Sequence, residues 1–299
     1  MMKKIAVLMG GVSNEREVSL KSGAAVTQAL RESGYDAEPV VLEQARLEAL
    51  PAGTEAVFIA LHGGYGENGG VQSDLDQLGI PYTGPGAAAS RVAMDKRLTK
   101  EILMQAEVPT PPYEMLRAGE TLKKLELPVV VKPPREGSSV GISKVTEGQE
   151  LAAAVLSACR ADDQGEAMAE AYIPGREWTV AVLGGCALPV VEILAPNGWY
   201  GFVEKYTKGV TAFALPEAVA DQPLIAKAQC YALLAYQALG CRGVSRVDFR
   251  LTAEGELFVL EVNTIPGMTS TSLLPQAAAK AGINFGELCS KLVELAAYD

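Results

Sequence analysis

His62 is the single histidine in a chain of 299 residues. The five cysteines, at 159, 186, 230, 241 and 289, are odd in number, and no two have CxxC spacing. Both facts argue against a zinc site. The cysteines read instead as small hydrophobes in a reducing compartment. Positive charge is scarce, with 26 Lys and Arg against 36 Asp and Glu and a net charge of −10. This argues against non-specific binding to nucleic acid or to an anionic membrane. An anionic ligand would need the few basic residues concentrated around it. No apolar run approaches the ~18 residues of a membrane helix. The N-terminal IAVLM is too short for a signal segment and ends in Gly-Gly. The expectation is a cytoplasmic protein that binds neither nucleic acid nor membrane.

Hydrophobic residues make up 48% of the chain and charged residues 21%, the balance of a globular enzyme. The length exceeds what one core usually supports, so two or three domains are expected. Residues 3–9 read as a buried strand followed by a Gly-Gly turn. Asn14 with Glu17 reads as a capping box opening a helix to about Ser33. Strands near 37–42 and 55–61, the loop HGGYGENGG, a short helix and a strand IPYT (80–83) complete a parallel α/β unit. GPGAAAS (84–90) marks a boundary. A helix is expected from Ser90 to Gln105, with Met94, Leu98 and Ile102 on one stripe, stopped by PTPPY. A small antiparallel α+β section follows. From about 176 the chain is rich in strands, with a long helix at 221–239, a hairpin, and a closing helix at 284–297.

The hairpin carries the chemistry. VSRVDFRL (244–251) alternates strictly, with Val247, Phe249 and Leu251 on one face and Arg246, Asp248 and Arg250 on the other. In LEVN (260–263), Glu261 and Asn263 point the same way. Folding about TAEGE brings Asp248 opposite Glu261 to within a residue of register. Two carboxylates and an amide oxygen suit Mg²⁺, which takes hard oxygens and fills its shell with water and phosphate. The alternative is a solvated face of cross-strand Arg–Asp pairs. Lys132, closing the apolar strand of VVVKPP, reads equally as snorkelling or as aimed at an anion. Lys96 in MDK is a second cation. EGSSVGIS (136–143) can offer backbone N–H groups to phosphate, but lacks the GK[ST] of a P-loop. LMGGVSNERE does not complete a dinucleotide GxGxxG, which argues against a nicotinamide-dependent dehydrogenase.

Taken in order, GGVSNEREVSL, LHGGYGENGGVQ, MDK, VVVKPPREGSSVGISKV, EAYIPGREWTV, EKY, SRVDFRL and LEVNTIPGMTSTSLLP resemble the ATP-grasp enzymes, and among them the D-alanine–D-alanine ligases. The resemblance runs through essentially the whole chain. It implies a three-domain ATP-grasp fold of α/β and α+β type. A parallel Rossmann-like unit would span 1–88, a central subdomain 89–175, and a C-terminal subdomain with the metal site 176–299. It implies ATP between the last two, with Lys96 and Lys132 on its phosphates and Ser139 in the glycine-serine loop. Glu170, Ala171 and Ile173 would meet the adenine, and Glu177 the ribose. Two Mg²⁺ ions, or Mn²⁺, would be held by Asp248, Glu261 and Asn263. Glu15 would take the ammonium of the first D-alanine, with Ser138 and Tyr206 as hydrogen-bonded companions and His62 beside it. Arg246 and the Gly267 N–H would receive the oxyanion. Ser272 and the Leu273 N–H would hold the second D-alanine's carboxylate, with Lys205 adding charge. A cytoplasmic homodimer serving peptidoglycan synthesis completes what the resemblance implies.

Two other readings stay open on the sequence: a different ATP-grasp ligase, or the D-alanine–D-lactate variant, and a nucleotide-binding regulator without turnover. Lys205-Tyr206 speaks against the D-lactate variant, and an oxyanion arginine against the regulator. The loop contact has its own test. Tyr206→Phe is expected to weaken closure and raise ATP hydrolysis not coupled to product. Unchanged coupling of phosphate release to dipeptide would make the contact dispensable.

Overall fold

The computed structural model describes residues 3–47, 50–137, 140–196, 211–216 and 219–299, in which three sheets follow one another along the chain. The first is parallel, in the order β2 (Asp36–Leu42), β1 (Lys4–Gly10), β3 (Ala56–Ile59). β1 reads as a continuous apolar run because both its faces are covered. Ile5, Val7 and Met9 meet α1 (Arg16–Glu32), while Ala6 and Leu8 share a core with Val71 and Leu75 of α2 (Gly70–Leu78).

Three expectations for the first hundred residues change. Asn14 does not cap α1. Glu15 occupies the cap position, its N–H donating to Ser13 Oγ at 3.2 Å, while the Arg16 guanidinium donates to the carbonyls of Gly11 and Leu42. IPYT is not a full strand: Tyr82 alone forms bridges, to Val57 and to Ala297. Pro81 has no N–H to continue a ladder. The single helix expected from Ser90 to Gln105 is two, α3 (Ala87–Met94) and α4 (Lys96–Gln105). Asp95 lies between them in extended conformation and accepts from the N–H groups of Arg97 and Leu98 at 2.9 and 3.1 Å. An aspartate gains more as an N-cap than inside a helix. The inward stripe of α4 also differs from the apolar one expected. Lys96, Thr99, Lys100 and Leu103 are buried, whereas Leu98 and Ile102 are only half-buried.

The central sheet is antiparallel, in the order β4 (Tyr113–Arg117), β7 (Glu166–Ala171), β5 (Val129–Lys132), β6 (Ser143–Val145). One face, through Val129, Val131, Ala167 and Ala169, packs on α5 (Gly148–Ala161). Alternation therefore turns Lys132, Met168 and Glu170 to the other face.

The C-terminal sheet runs β11 (Ala212–Ala214), β10 (Val191–Leu194), β8 (Arg176–Leu183), β12 (Val244–Leu251), β13 (Leu257–Asn263), with β9 (Cys186–Ala187) paired to β8. α6 (Gln222–Ala238) covers its apolar face through Ala228, Ala232 and Ala235, which meet Val180, Val247 and Phe249. α7 (Leu273–Lys280) and α8 (Phe285–Glu294) return to the first unit, where α8 packs on α1. The cysteines form no disulfide. Cys159, Cys241 and Cys289 are buried as expected, but Cys186 and Cys230 are exposed. Burial pushes the Cys241 and Cys289 thiols up to about 12.

In the hairpin, Asp248 stands opposite Glu261 and Arg246 opposite Asn263. One residue further on, Phe249 faces Val259, so Leu260 is an extra residue in β13. The buried positions record this phase change: Leu257, Val259 and Val262 enter the core. Counting in twos from Leu257 and Val259 would send Glu261 into the core. The bulge turns it onto the face of Asp248 instead. Deleting Leu260 would leave an unbroken alternation, with Leu257, Val259 and Val262 inward and Glu261 and Asn263 still on the face of Asp248. The deletion is therefore expected to cost less than the roughly 3 kcal/mol of stranding a buried charge. Thermal unfolding measures it, and a larger loss would show that the bulge does more than set the phase.

Candidate active site

The polar face of the C-terminal sheet is built by register. Arg246, Asp248 and Arg250 of β12 lie beside Glu177 and Thr179 of β8 and beside Glu261 and Asn263 of β13. Asp248 is the hub. Arg246 donates from Nε and Nη2 to its two oxygens at 2.9 and 2.8 Å, a bidentate charge-assisted pair. Thr179 Oγ1 donates to it at 2.6 Å and Asn263 Nδ2 at 3.1 Å. These contacts fix the carboxylate's orientation. The donor set is two carboxylates and an amide, all hard oxygens once the Asn263 amide makes a half-turn to present Oδ1. No cluster of three or more His, Cys, Asp or Glu suited to a metal occurs among the described residues. A cation held here would therefore complete its shell with water or phosphate.

Arg250 has a different task. Its Nε donates to the Ile173 carbonyl at 3.0 Å, Nη2 to that of Gly175 at 2.8 Å, and Nη1 to Glu177 Oε2 at 3.1 Å. One guanidinium thus fastens the connection from β7 to β8, on which Ile173 lies two residues beyond Ala171, and the acid that follows it.

On the free face of the central sheet, Glu170 and Lys132 are diagonal neighbours on paired strands. The Glu170 carboxylate lies between two ammonium groups, Lys132 on Oε2 and Lys100 on Oε1, the latter at 2.5 Å. Burial alone would raise the Glu170 carboxyl; the two lysines outweigh it, holding the group below the usual carboxylate range. Burial pulls the Lys100 ammonium down to about 8, with Glu170 opposing and Lys132 adding to that shift.

Lys96 opens α4 and donates from Nζ to the Glu136 carbonyl at 2.6 Å. Arg135 braces the same loop, reaching Asp162, Glu166, Asp163 and, at 3.3 Å, the cap residue Asp95. Burial raises the Glu136 carboxyl, Lys96 opposes, and Glu15 adds to the rise. Glu15 lies within reach of this loop: its Oε2 would stand 3.8 Å from a Cβ at Gly137 and 3.1 Å from one at Gly63.

The last cluster joins the first unit to the segment after β13. His62 Nε2 and Ser22 Oγ are 3.3 Å apart, and the Met268 N–H donates to the same Ser22 oxygen at 3.3 Å. Next to Met268, Gly267 is tight for a reason of space. A Cβ there would stand 2.7 Å from Ser272 Oγ, the hydroxyl that accepts from the Thr269 N–H at 3.0 Å. Ser272 is the N-cap of α7 and Leu273 its first residue, so backbone N–H groups and the positive end of the helix face outward there.

The described site residues thus gather in four places: Arg246, Asp248 and Asn263 with Glu261 opposite; Lys132 with Glu170, which Ala171 follows; Ile173 and Glu177 on Arg250; and Lys96 and Glu15 by the 134–137 loop, with His62, Gly267, Ser272 and Leu273 near Ser22 and Met268. Ser138, Ser139, Lys205 and Tyr206 lie outside the described residues. Lys100, Arg135 and Arg250 were missed as site residues. Lys100 had a signal, since it follows Lys96 by one helical turn. Arg250 had one too, sharing its strand face with Arg246 and Asp248.

Residues 102–294 match the family model described as "D-ala D-ala ligase C-terminus", and residues 4–49 the one described as "D-ala D-ala ligase N-terminus". The chain belongs to the D-alanine–D-alanine ligase family. A D-alanine–D-alanine ligase of Syntrophotalea carbinolica is 46% identical over 97% of this chain and 95% of its own length. One of Desulforudis audaxviator is 45% identical over 99% of both chains. The crystal structure of D-alanine–D-alanine ligase from Bacillus anthracis complexed with ATP has a TM-score of 0.86, at 34% identity, covering 99% of this chain and 97% of that one. The fold is that of the ATP-grasp ligases. The ligase family's C-terminal model takes in Lys132, Glu170, Arg250 and the whole Asp248 face, while its N-terminal model takes in Glu15; His62, Lys96 and Lys100 fall between the two matches.

Removing the Arg250 guanidinium would take a hydrogen-bond donor from Glu177 and from two carbonyls. Arg250→Met is expected to lower stability by about 3 kcal/mol, the scale of breaking one side of a buried pair. Lysine should recover only part, because one ammonium cannot span three acceptors. A melting temperature within a degree of the native one would remove Arg250 from this role.

Proposed function

We propose that the protein joins two molecules of D-alanine into D-alanyl-D-alanine, converting ATP to ADP and phosphate, and so supplies a precursor of peptidoglycan. The observation that carries this reading is the polar face where Arg246, Asp248, Glu261 and Asn263 meet. It is tied by hydrogen bonds through Val259, Thr110 and Lys100 to the Glu170–Lys132 pair.

In this reading a carboxylate oxygen of the first D-alanine attacks the γ-phosphorus of ATP. The bond from that phosphorus to the ADP oxygen breaks, leaving an acyl phosphate. Positioning and charge neutralisation dominate such a step, and Lys96 and Lys132 provide both. Magnesium at Asp248, Glu261 and Asn263, as two ions or with manganese in their place, would draw charge from the terminal phosphates. The amine of the second D-alanine then attacks the acyl carbonyl. The oxyanion is received by Arg246 and the Gly267 N–H. It collapses with loss of phosphate, and the new amide nitrogen releases a proton.

Glu15 takes the first substrate's ammonium, with His62, Ser138 and Tyr206 around it. Ser272 and the Leu273 N–H take the second substrate's carboxylate at the start of α7, where the helix favours an anion, and Lys205 adds charge. Ser139 serves the phosphates. The backbone of Glu170, Ala171 and Ile173 meets the adenine, and Glu177 the ribose. Excluding water matters because an exposed acyl phosphate hydrolyses. The same reading divides the chain at 88/89 and 175/176 and makes it a cytoplasmic homodimer. Among the described residues no helix is long and apolar enough to cross a membrane.

With MgATP and D-alanine, release of phosphate and a product with the mass of the dipeptide are expected. Turnover only with D-lactate present would point to an ester-forming ligase, and no phosphate above background would sink the enzyme reading. Asp248→Ala is expected to abolish turnover in a folded protein, and Arg246→Met to lower kcat by roughly 10²–10³-fold, the worth of an oxyanion donor. Near-normal rates at ordinary Mg²⁺ would remove either residue from its role.

A further inference from the structure

Two buried lysines share one carboxylate between the central and C-terminal sheets. The Lys100 and Glu170 side chains are 1% and 3% exposed, and Lys132 is nearly as enclosed. Two cations against one anion leave an excess positive charge out of water, which is costly unless an anion arrives to meet it.

The two lysines are not equivalent. Lys100 is fixed from all sides. Its Nζ donates to Thr110 Oγ1 at 2.6 Å and to the Pro111 carbonyl at 2.9 Å, and it faces Glu170 Oε1 as an ion contact. The Thr110 hydroxyl spends its own proton on the Val259 carbonyl, at 2.9 Å, so its lone pairs are committed to receiving Lys100. The Tyr113 ring lies 5.4 Å from the same ammonium. Lys132, by contrast, has Glu170 Oε2 as its one acceptor among the described residues. It keeps protons for another anion.

We propose that Lys100 is a standing counter-ion which keeps Glu170 compensated when Lys132 leaves it for the phosphates of ATP. This rests on the reading of Lys132 as a phosphate-binding residue. With Lys100 present, the departure of Lys132 leaves a neutral Lys100–Glu170 pair. Without it, Lys132 and Glu170 would form a neutral buried pair of their own. Drawing Lys132 away would then strand a carboxylate in a dry interior, and ATP would have to overcome that cost. Lys100 thus acts on the nucleotide through Lys132 and touches neither substrate nor metal: it is a positioning residue.

Charge bookkeeping and simple scaffolding predict opposite outcomes in a double substitution. ATP binding is titrated without D-alanine, on proteins whose folding is checked by thermal unfolding. Lys100→Met is expected to weaken ATP roughly tenfold or more. Glu170→Gln removes the charge that needs compensating, so Lys100→Met/Glu170→Gln should bind ATP within about threefold of Glu170→Gln alone. If Lys100 only braced Thr110 and Pro111, the double variant would bind no better than Lys100→Met, and the proposal would fall. Should Lys100→Met not fold, Lys100→Gln takes its place, because an amide can still donate to Thr110 and Pro111 while lacking the charge. Lys132→Met separates this inference from the one beneath it. Unchanged ATP affinity in that variant would overturn the placement of Lys132 itself. Weakened affinity there, with full affinity in Lys100→Met, would overturn the role of Lys100 alone.

Discussion

A charge taken out of water must meet its opposite within contact distance, and this requirement organises the space between the central and C-terminal sheets. Glu170 is met by Lys100 and Lys132, Asp248 by Arg246, Glu177 by Arg250, and Asp95, Asp162 and Glu166 by Arg135. The carboxylates around Arg135 outweigh burial and hold its guanidinium charged beyond the ordinary arginine range. In a chain with net charge −10, five of the 26 Lys and Arg residues, Lys100, Lys132, Arg135, Arg246 and Arg250, are committed to these carboxylates.

Such pairs do little for net stability, since desolvation consumes much of the Coulomb gain. What they supply is orientation. The fork of Arg246 admits only certain attitudes of Asp248, and Thr179 and Asn263 narrow them further. Each group that would face a ligand is thus set by a neighbour on the same sheet face. Preorganisation of this kind is what a phosphoryl-transfer site needs most, because little of its chemistry is done by the protein's own bonds.

Much of this was legible in the sequence. The strict alternation of 244–251 fixed which face of β12 is polar, and the Asp248–Glu261 pairing followed from the hairpin. Other features went unread or were misread for identifiable reasons. The phase change at Leu260 leaves no mark in a pattern read only from Glu261 onward. The break at Asp95 was hidden because helical periodicity continues through it, and only the capping preference of aspartate speaks for a break. Lys100 was passed over because hydrophobic periodicity assigns inward faces to apolar residues, whereas α4 turns lysines inward to a buried carboxylate. The Asn14–Glu17 spacing matched a capping box that the Arg16 contacts to Gly11 and Leu42 displace by one residue. Propensity lost to tertiary electrostatics in the last two cases.

The chain enters the central sheet from α4, before β4, and leaves it for the C-terminal sheet after β7, and each passage is held to the C-terminal sheet. At the first, the Val259 N–H donates to the Pro109 carbonyl at 2.8 Å and Thr110 is bound to the Val259 carbonyl. At the second, Arg250 grips the carbonyls of Ile173 and Gly175. A rigid plate attached at two points could still turn about the line through them, here from Thr110 to Ile173. A third hold lies off that line. The 134–137 loop, beyond the far end of β5, is tied to the head of α4, where the Lys96 N–H donates to the Pro134 carbonyl at 3.0 Å and Lys96 Nζ to the Glu136 carbonyl at 2.6 Å. Arg135 of the same loop meets Asp95 at 3.3 Å. Lys96 and Asp95 are thus the latch of the plate: to swing about its two pins, the central sheet must first give up these contacts.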